Sequence, residues 1–141
     1  MVKNTKRIVR NGKEYEINLE EGWNRPQFLE ASKVLLNHVI ETKGEPINYG
    51  DFCKKLSFEA YPEFVDRLFG PLGYTCLNSG LPPVSGIVVN KEEGLPGAGF
   101  IKSYYPQIKD EMSGLMKLLE IREEIKVFSD WDILLEAMNL I

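Results

Sequence analysis

The architecture turns on residues 81–103, Leu81-Pro82-Pro83-Val84-Ser85-Gly86-Ile87-Val88-Val89-Asn90-Lys91-Glu92-Glu93-Gly94-Leu95-Pro96-Gly97-Ala98-Gly99-Phe100-Ile101-Lys102-Ser103. Val84 to Val89 is a short apolar run closing on a Val-Val pair. Asn90 to Gly99 holds three glycines, a proline and three charges. Phe100 and Ile101 resume the apolar character. The pattern predicts a strand, an ordered loop and a second strand, which is a wing or long hairpin.

Upstream, helical spacing dominates. Over 24–43, Phe28, Ala31, Leu35 and Val39 recur on one face, with Leu29, Leu36 and Ile40 widening it. Asn24 is the expected cap, Pro26 fits the first turn, and Gly44 with Glu45-Pro46 ends the helix. His38 falls beside this stripe without a cysteine or carboxylate partner, as a packing or surface residue. A second, short helix begins at Ile47-Asn48-Tyr49-Gly50-Asp51, with Asn48 as cap and Asp51 in the first turn, where the helix dipole favours an acid. Pro62 opens a third helix, with Phe64, Val65, Leu68, Phe69, Leu72 and Cys76 on its apolar face. Gly70-Pro71 interrupts that face and predicts a kink or two consecutive short helices. Three helices followed by strand, loop and strand is the element order of a winged helix.

Both ends add apolar elements to this centre. Asn11-Gly12 supplies the two residues that accept positive φ in a type I′ hairpin turn. Counting outward pairs Val9 with Glu14, Ile8 with Tyr15 and Arg7 with Glu16, so that Ile8, Tyr15, Ile17 and Leu19 share a face. Residues 106–127 read as a fourth helix on Ile108, Met112, Leu115, Leu118 and Leu119. Ser129 is the expected cap of a last helix carrying Trp131, Leu134, Leu135 and Met138. The expectation is one α+β domain over 1–141. It has a β-hairpin arm (1–22), a winged-helix-like core (23–105) and C-terminal helices (106–141).

Composition sets outer bounds. Apolar residues make up 43% of the 141 and charged residues 27%, as in an ordinary globular chain. No apolar run approaches the ~18 residues of a membrane span, and no apolar segment follows the basic N-terminus, so a cytoplasmic protein without a membrane partner is expected. Cys53 and Cys76 are then expected as thiols in helices, and with one histidine they make no metal site. No cofactor is indicated. The net charge is −4, but residues 1–13 carry Lys3, Lys6, Arg7, Arg10 and Lys13 with no acid, so residues 14–141 sum to −9.

From Ile47 to Phe100 the chain resembles the C-terminal domain of the alkylguanine-DNA alkyltransferases and alkyltransferase-like proteins. The Ile47-Asn48-Tyr49-Gly50-Asp51-Phe52 segment is similar to the hydrophobic-x-Tyr-Gly opening of that family's helix-turn-helix. Val84 to Val89 falls where the family has Pro-Cys-His-Arg-Val-Val, before a glycine-rich loop ending in an aromatic, here Phe100. The same 81–100 pattern also resembles a stretch found in small uncharacterised bacterial and phage proteins, which carries no known chemistry. Ser85 stands at the place of the family's nucleophilic cysteine, Gly86 at its histidine and Ile87 at its arginine. A serine without a base is a poor nucleophile, and Cys76 lies eight or nine residues too early, so alkyl transfer is not expected.

The resemblance implies a noncatalytic winged-helix module that binds nucleic acid, with DNA as partner. Lys54, Lys55 and Arg67 would be its basic contacts, Lys91 and Lys102 the wing contacts, and the Gly97 and Gly99 amides would meet phosphates. Tyr49, Ser85 and Asn90 complete that set, and a pocket lined by these three would point to an enzyme instead. Residues 44–105 nevertheless hold five basic and seven acidic side chains. The alternative is therefore an acidic protein-binding or inhibitory module on the same scaffold. Gly94 to Ser103 does not make a phosphate loop, because Phe100-Ile101 separate the glycine from Lys102-Ser103 and Pro96 removes a donor. Paired acids such as Glu123-Glu124 read as solubilising.

Overall fold

A computed structural model describes residues 4–61, 65–97 and 99–141. Lys3, the helix start expected at Pro62 with Glu63 and Phe64, and Ala98 lie outside the described residues. The chain is mixed α+β. A hairpin of β1 (Thr5–Arg10) and β2 (Lys13–Asn18) leads into α1 (Pro26–Thr42). Then follow β3 (Ile47–Asn48), α2 (Tyr49–Cys53), α3 (Val65–Leu68) and α4 (Gly70–Asn78). A 3-10 turn over Val84–Ile87 precedes β4 (Val88–Val89), α5 (Gly99–Tyr104), α6 (Glu111–Val127) and α7 (Asp132–Ala137).

The hairpin has the register expected from Asn11-Gly12, with Ile8 opposite Tyr15. Asn11 (φ 52°) and Gly12 (φ 76°) both take the left-handed backbone that a type I′ turn requires. Ile8, Tyr15, Ile17 and Leu19 are all buried, and they seat the hairpin on α4 and α7. The arm is thus one wall of the core. Leu35, Leu36, Phe52, Phe69, Leu72, Ile121 and Ile125 fill the centre.

The Gly70-Pro71 interruption divides the third helix into α3 and α4, as two consecutive short helices. Asn48 caps α2, its Oδ1 accepting the Asp51 amide at 2.8 Å. Two expected caps move. Residues before proline avoid helical backbone, so the cap of α1 falls on Arg25, extended at ψ 137°, and not on Asn24. The last helix takes its cap at Trp131 rather than Ser129. The fourth helix begins at Glu111, not 106, because Asp110 accepts the Ser113 amide at 2.9 Å.

The wing differs most from expectation. Val84–Ile87 is a buried 3-10 turn, and only Val88–Val89 is strand, pairing in parallel with Ile47–Asn48. The second strand expected at Phe100-Ile101 is helix α5. Two apolar residues cannot distinguish strand from helix. The helix brings Phe100 and Tyr104 onto one face, their rings edge-to-face at 4.9 Å. The turn at 84–87 lies under α6, where a Cβ on Gly86 would sit 3.1 Å from Ile121 Cγ2 and 3.3 Å from Phe100 Cζ. Packing of these two side chains against a bare glycine holds that segment as a turn.

Candidate docking groove

α6 is apolar on two opposite faces. Gly114, Ile121 and Ile125 point into the core. At 100° per residue, Met112, Leu115, Met116 and Leu119 fall on the opposite side. Their exposures are 65%, 39%, 63% and 50%, so a four-residue apolar stripe faces solvent. Exposed apolar patches of this contiguity are uncommon on single-chain proteins and mark interaction surfaces.

At its C-terminal end this helix forms a groove of about 790 Å³ with the hairpin and the link to α7. Tyr15, Pro82, Val127 and Phe128 supply apolar walls. Val127 is 74% exposed there. Among the described residues, Glu120, Glu123, Glu124 and Asp130 supply four carboxylates against one cation, Lys13. A second hollow of about 490 Å³ shares Lys13, Tyr15, Pro82 and Phe128, and continues the surface past Glu14 and Glu16.

Each wall is fixed by the core behind it. Tyr15 donates to Asp130 Oδ2 at 2.6 Å, and Asn11 Nδ2 to Asp130 Oδ1 at 2.8 Å. Burial first, and then the Asp130 carboxylate, pushes the Tyr15 hydroxyl up to about 12. Lys13 lies over the Tyr15 ring at 5.2 Å, which spends part of its charge on the ring face. Phe128 sits edge-on to Trp131 at 4.8 Å and to Tyr15 at 6.0 Å. Burial and the neighbouring Glu120 raise the Glu124 carboxyl above its ordinary value. Lys117 offsets Glu120 at 3.2 Å. Among the described residues no group of three His, Cys, Asp or Glu could hold a metal ion.

The residues expected to meet nucleic acid are dispersed over several elements. Tyr49 and Gly97 do come together: the Gly97 amide donates to Tyr49 Oη at 2.8 Å, and that hydroxyl donates to Asp66 Oδ1 at 3.1 Å. The amide intended for phosphate is therefore used inside the fold. Ser85 is 5% exposed and Asn90 Oδ1 accepts the Glu93 amide at 2.7 Å within its own loop. Lys54 lies 3.8 Å from Asp51, with Lys55 exposed beside it. Arg67 is exposed on α3, Lys91 on the acidic loop, and Gly99 and Lys102 on α5. Arg10 of the basic arm pairs with Asp132 at 3.2 Å and Glu136 at 2.6 Å. The arm is thus held down partly by acids of α7.

Sequence reasoning took Glu123-Glu124 as solubilising and did not single out Glu120 or Asp130. One signal was present. Met112, Leu115, Met116 and Leu119 lie at i, i+3, i+4 and i+7, while Gly114, Ile121 and Ile125 form a second stripe. The stripe on which the sequence places this helix, with Met112, Leu115 and Leu119, is the exposed one, because Gly114, Ile121 and Ile125 take the core side.

Comparison with protein-family models, with curated proteins and with solved structures finds no match to this chain. Among the described residues no helix is long and apolar enough to cross a membrane.

Proposed function

We propose that this protein is a docking module that binds a basic, amphipathic segment of a partner protein. The observation that carries this reading is the groove at the end of α6, where, among the described residues, apolar walls meet four carboxylates and a single lysine. An apolar face on the incoming segment would cover Val127, Phe128 and the outer stripe of α6. Its lysines or arginines would face Glu120, Glu123 and Glu124. This is helix-in-groove recognition, with apolar anchors for affinity and charge for choice of partner. Exposed Met112 and Met116 suit such a surface, because the unbranched thioether adapts to a partner's shape.

The nucleic-acid reading has less support. Phosphate would meet a loop tipped by Glu92-Glu93, a Gly97 amide already bonded, and an Arg10 paired with two acids.

Two synthetic peptides test the proposal, one amphipathic helix with a Leu face and a Lys face, the other with Glu in place of Lys. The Lys peptide should bind in the micromolar range, about 1–100 μM by fluorescence anisotropy, and the Glu peptide should not. The triple change E120K/E123K/E124K should weaken the Lys peptide by at least about tenfold. Equal binding of both peptides, or indifference to the triple change, would sink the proposal. Tight, salt-sensitive binding of a short DNA duplex, lost on changing Lys54, Lys55 and Arg67, would instead favour the nucleic-acid reading.

A further inference from the structure

The outer face of α6 is apolar in its first half and charged further on. Met112, Leu115, Met116 and Leu119 are exposed, and Glu123 and Lys126 follow them on the same face. Glu111 opens the helix and Lys126 stands in its last turn, both exposed. At 100° per residue these two lie only about 60° apart when viewed down the axis, so they share one flank of the stripe. An apolar stripe with an acid at one end and a base at the other is complementary to itself turned end for end.

We infer that the outer stripe of α6 is covered by the same stripe of a second copy, the two helices running antiparallel about a two-fold axis. An axis level with the midpoint of Leu118 and Leu119 sets each Glu111 level with the second copy's Lys126. It also sets Lys117, which pairs with its own Glu120 at 3.2 Å, level with the second copy's Glu120 on the other flank. Leu119 then meets its counterpart near the axis, with Leu115 and Met116 beside it. The aliphatic stem of Lys126 covers Met112 of the other copy. Antiparallel helices place their macrodipoles head to tail, whereas a parallel pair would set Glu111 beside Glu111. Moving the axis to Lys117 would set that lysine against its counterpart and Glu111 level with Glu123. Charge thus selects both direction and register.

A stable interface buries about 800 Å² on each partner, more than a stripe of four part-exposed side chains offers. The pair is therefore a weak dimer that exchanges with single copies. The inference rests on α6 alone and does not require the docking proposal, although a basic segment covering the stripe would displace the second copy.

Sedimentation equilibrium of the full chain between about 1 and 500 μM, with no peptide present, tests it. The mass should rise from one copy to two, with a Kd of about 10–100 μM. Leu119→Glu should remain a single copy over that range; Leu119 is half exposed, so the variant keeps its fold. Glu111→Lys and Lys126→Glu should each weaken self-association at least about fivefold, because each sets like charges together twice in the dimer. Mixed in equal amounts, these two variants should recover the wild-type affinity, since the mixed dimer restores both unlike pairs. Damage to a helix end would not be repaired by mixing, so recovery reports the contact itself. A single copy at every concentration, a mass that climbs beyond two copies, a Leu119→Glu protein that dimerises like the wild type, or a mixture no heavier than its separate components would overturn the inference.

Discussion

The Tyr15 hydroxyl donates to Asp130 Oδ2 at 2.6 Å across 115 positions of the sequence. This bond ties the second strand of the hairpin to the segment that starts α7, and both residues line the groove. Asp130 is only 9% exposed, so its carboxylate depends on Tyr15 and Asn11 for compensation. Tyr15→Phe should therefore cost about 1.5–3 kcal/mol of stability, the range for a hydrogen bond to a buried charge. Asn11→Ala should cost less, because the Tyr15 bond survives. Urea unfolding of the two variants checks the order. A Tyr15→Phe protein as stable as the wild type would show that Asp130 finds other compensation.

Gly73 faces Tyr104 with no room for a side chain. A Cβ there would come within 2.6 Å of Tyr104 Cε1, and still closer to the hydroxyl end of the ring. Gly73→Ala should destabilise by about 1–3 kcal/mol, although alanine favours helices over glycine. Thermal denaturation of Gly73→Ala against the wild type checks this.

Burial pushes Tyr15, Tyr49, Tyr104 and Tyr105 up to about 12. In the unfolded chain each would ionise near 10. The folded state thus holds the proton more tightly, and its stability is intact below pH 10 and lost as pH rises from 10 towards 12. Tyrosinate absorbance near ~295 nm should rise mainly around pH 12, together with loss of the far-ultraviolet helical signal. A large rise centred near pH 10 with the fold intact would contradict this burial.

The Glu124 carboxyl is raised by burial first and by Glu120 next. A raised folded value means that the negative form is disfavoured in the fold, so stability falls as pH rises through that value. Glu124→Gln should accordingly stabilise the protein at pH 7, by a few tenths of a kcal/mol as for like charges one turn apart. The gain should vanish below pH 4.5, where wild-type Glu124 is itself neutral. The same substitution should weaken the Lys peptide. Stability gained where binding is lost is the behaviour expected of a charge kept for a partner.

Cys76 is fully buried and burial raises its thiol to about 12, whereas Cys53 is partly exposed. In native protein a thiol reagent should modify Cys53 slowly and Cys76 only on unfolding. Rapid reaction of both would show that α4 opens readily.

Local rules carried the hairpin in full. Asn11-Gly12 specifies a turn, the turn specifies register, and register sets which residues face inward. The same holds for the Asn48 cap and for the break at Gly70-Pro71, where a backbone constraint acts within a few residues. The wing failed because Phe100-Ile101 is too short to show a period, and its conformation follows from where Tyr104, Ile121 and Gly86 meet it. Of the candidate site, the acids of α6 were visible as charges but not as one wall of a groove. That wall exists only because Ile121 and Ile125 turn α6 inward and leave Leu119, Glu123 and Val127 outside.

The sequence by itself determined an α+β chain of ordinary globular composition, its hairpin with register, most of its helices, and the buried faces of the hairpin and the first helix. These follow from local backbone preference and from the periodicity with which side chains leave the backbone. Only the tertiary structure decided that the basic arm is a pinned wall, that the wing is a turn and a helix, and that Asp130 joins Tyr15 beside three glutamates. Those outcomes depend on contacts between residues tens of positions apart, which no local pattern encodes and which only close packing of the whole chain selects.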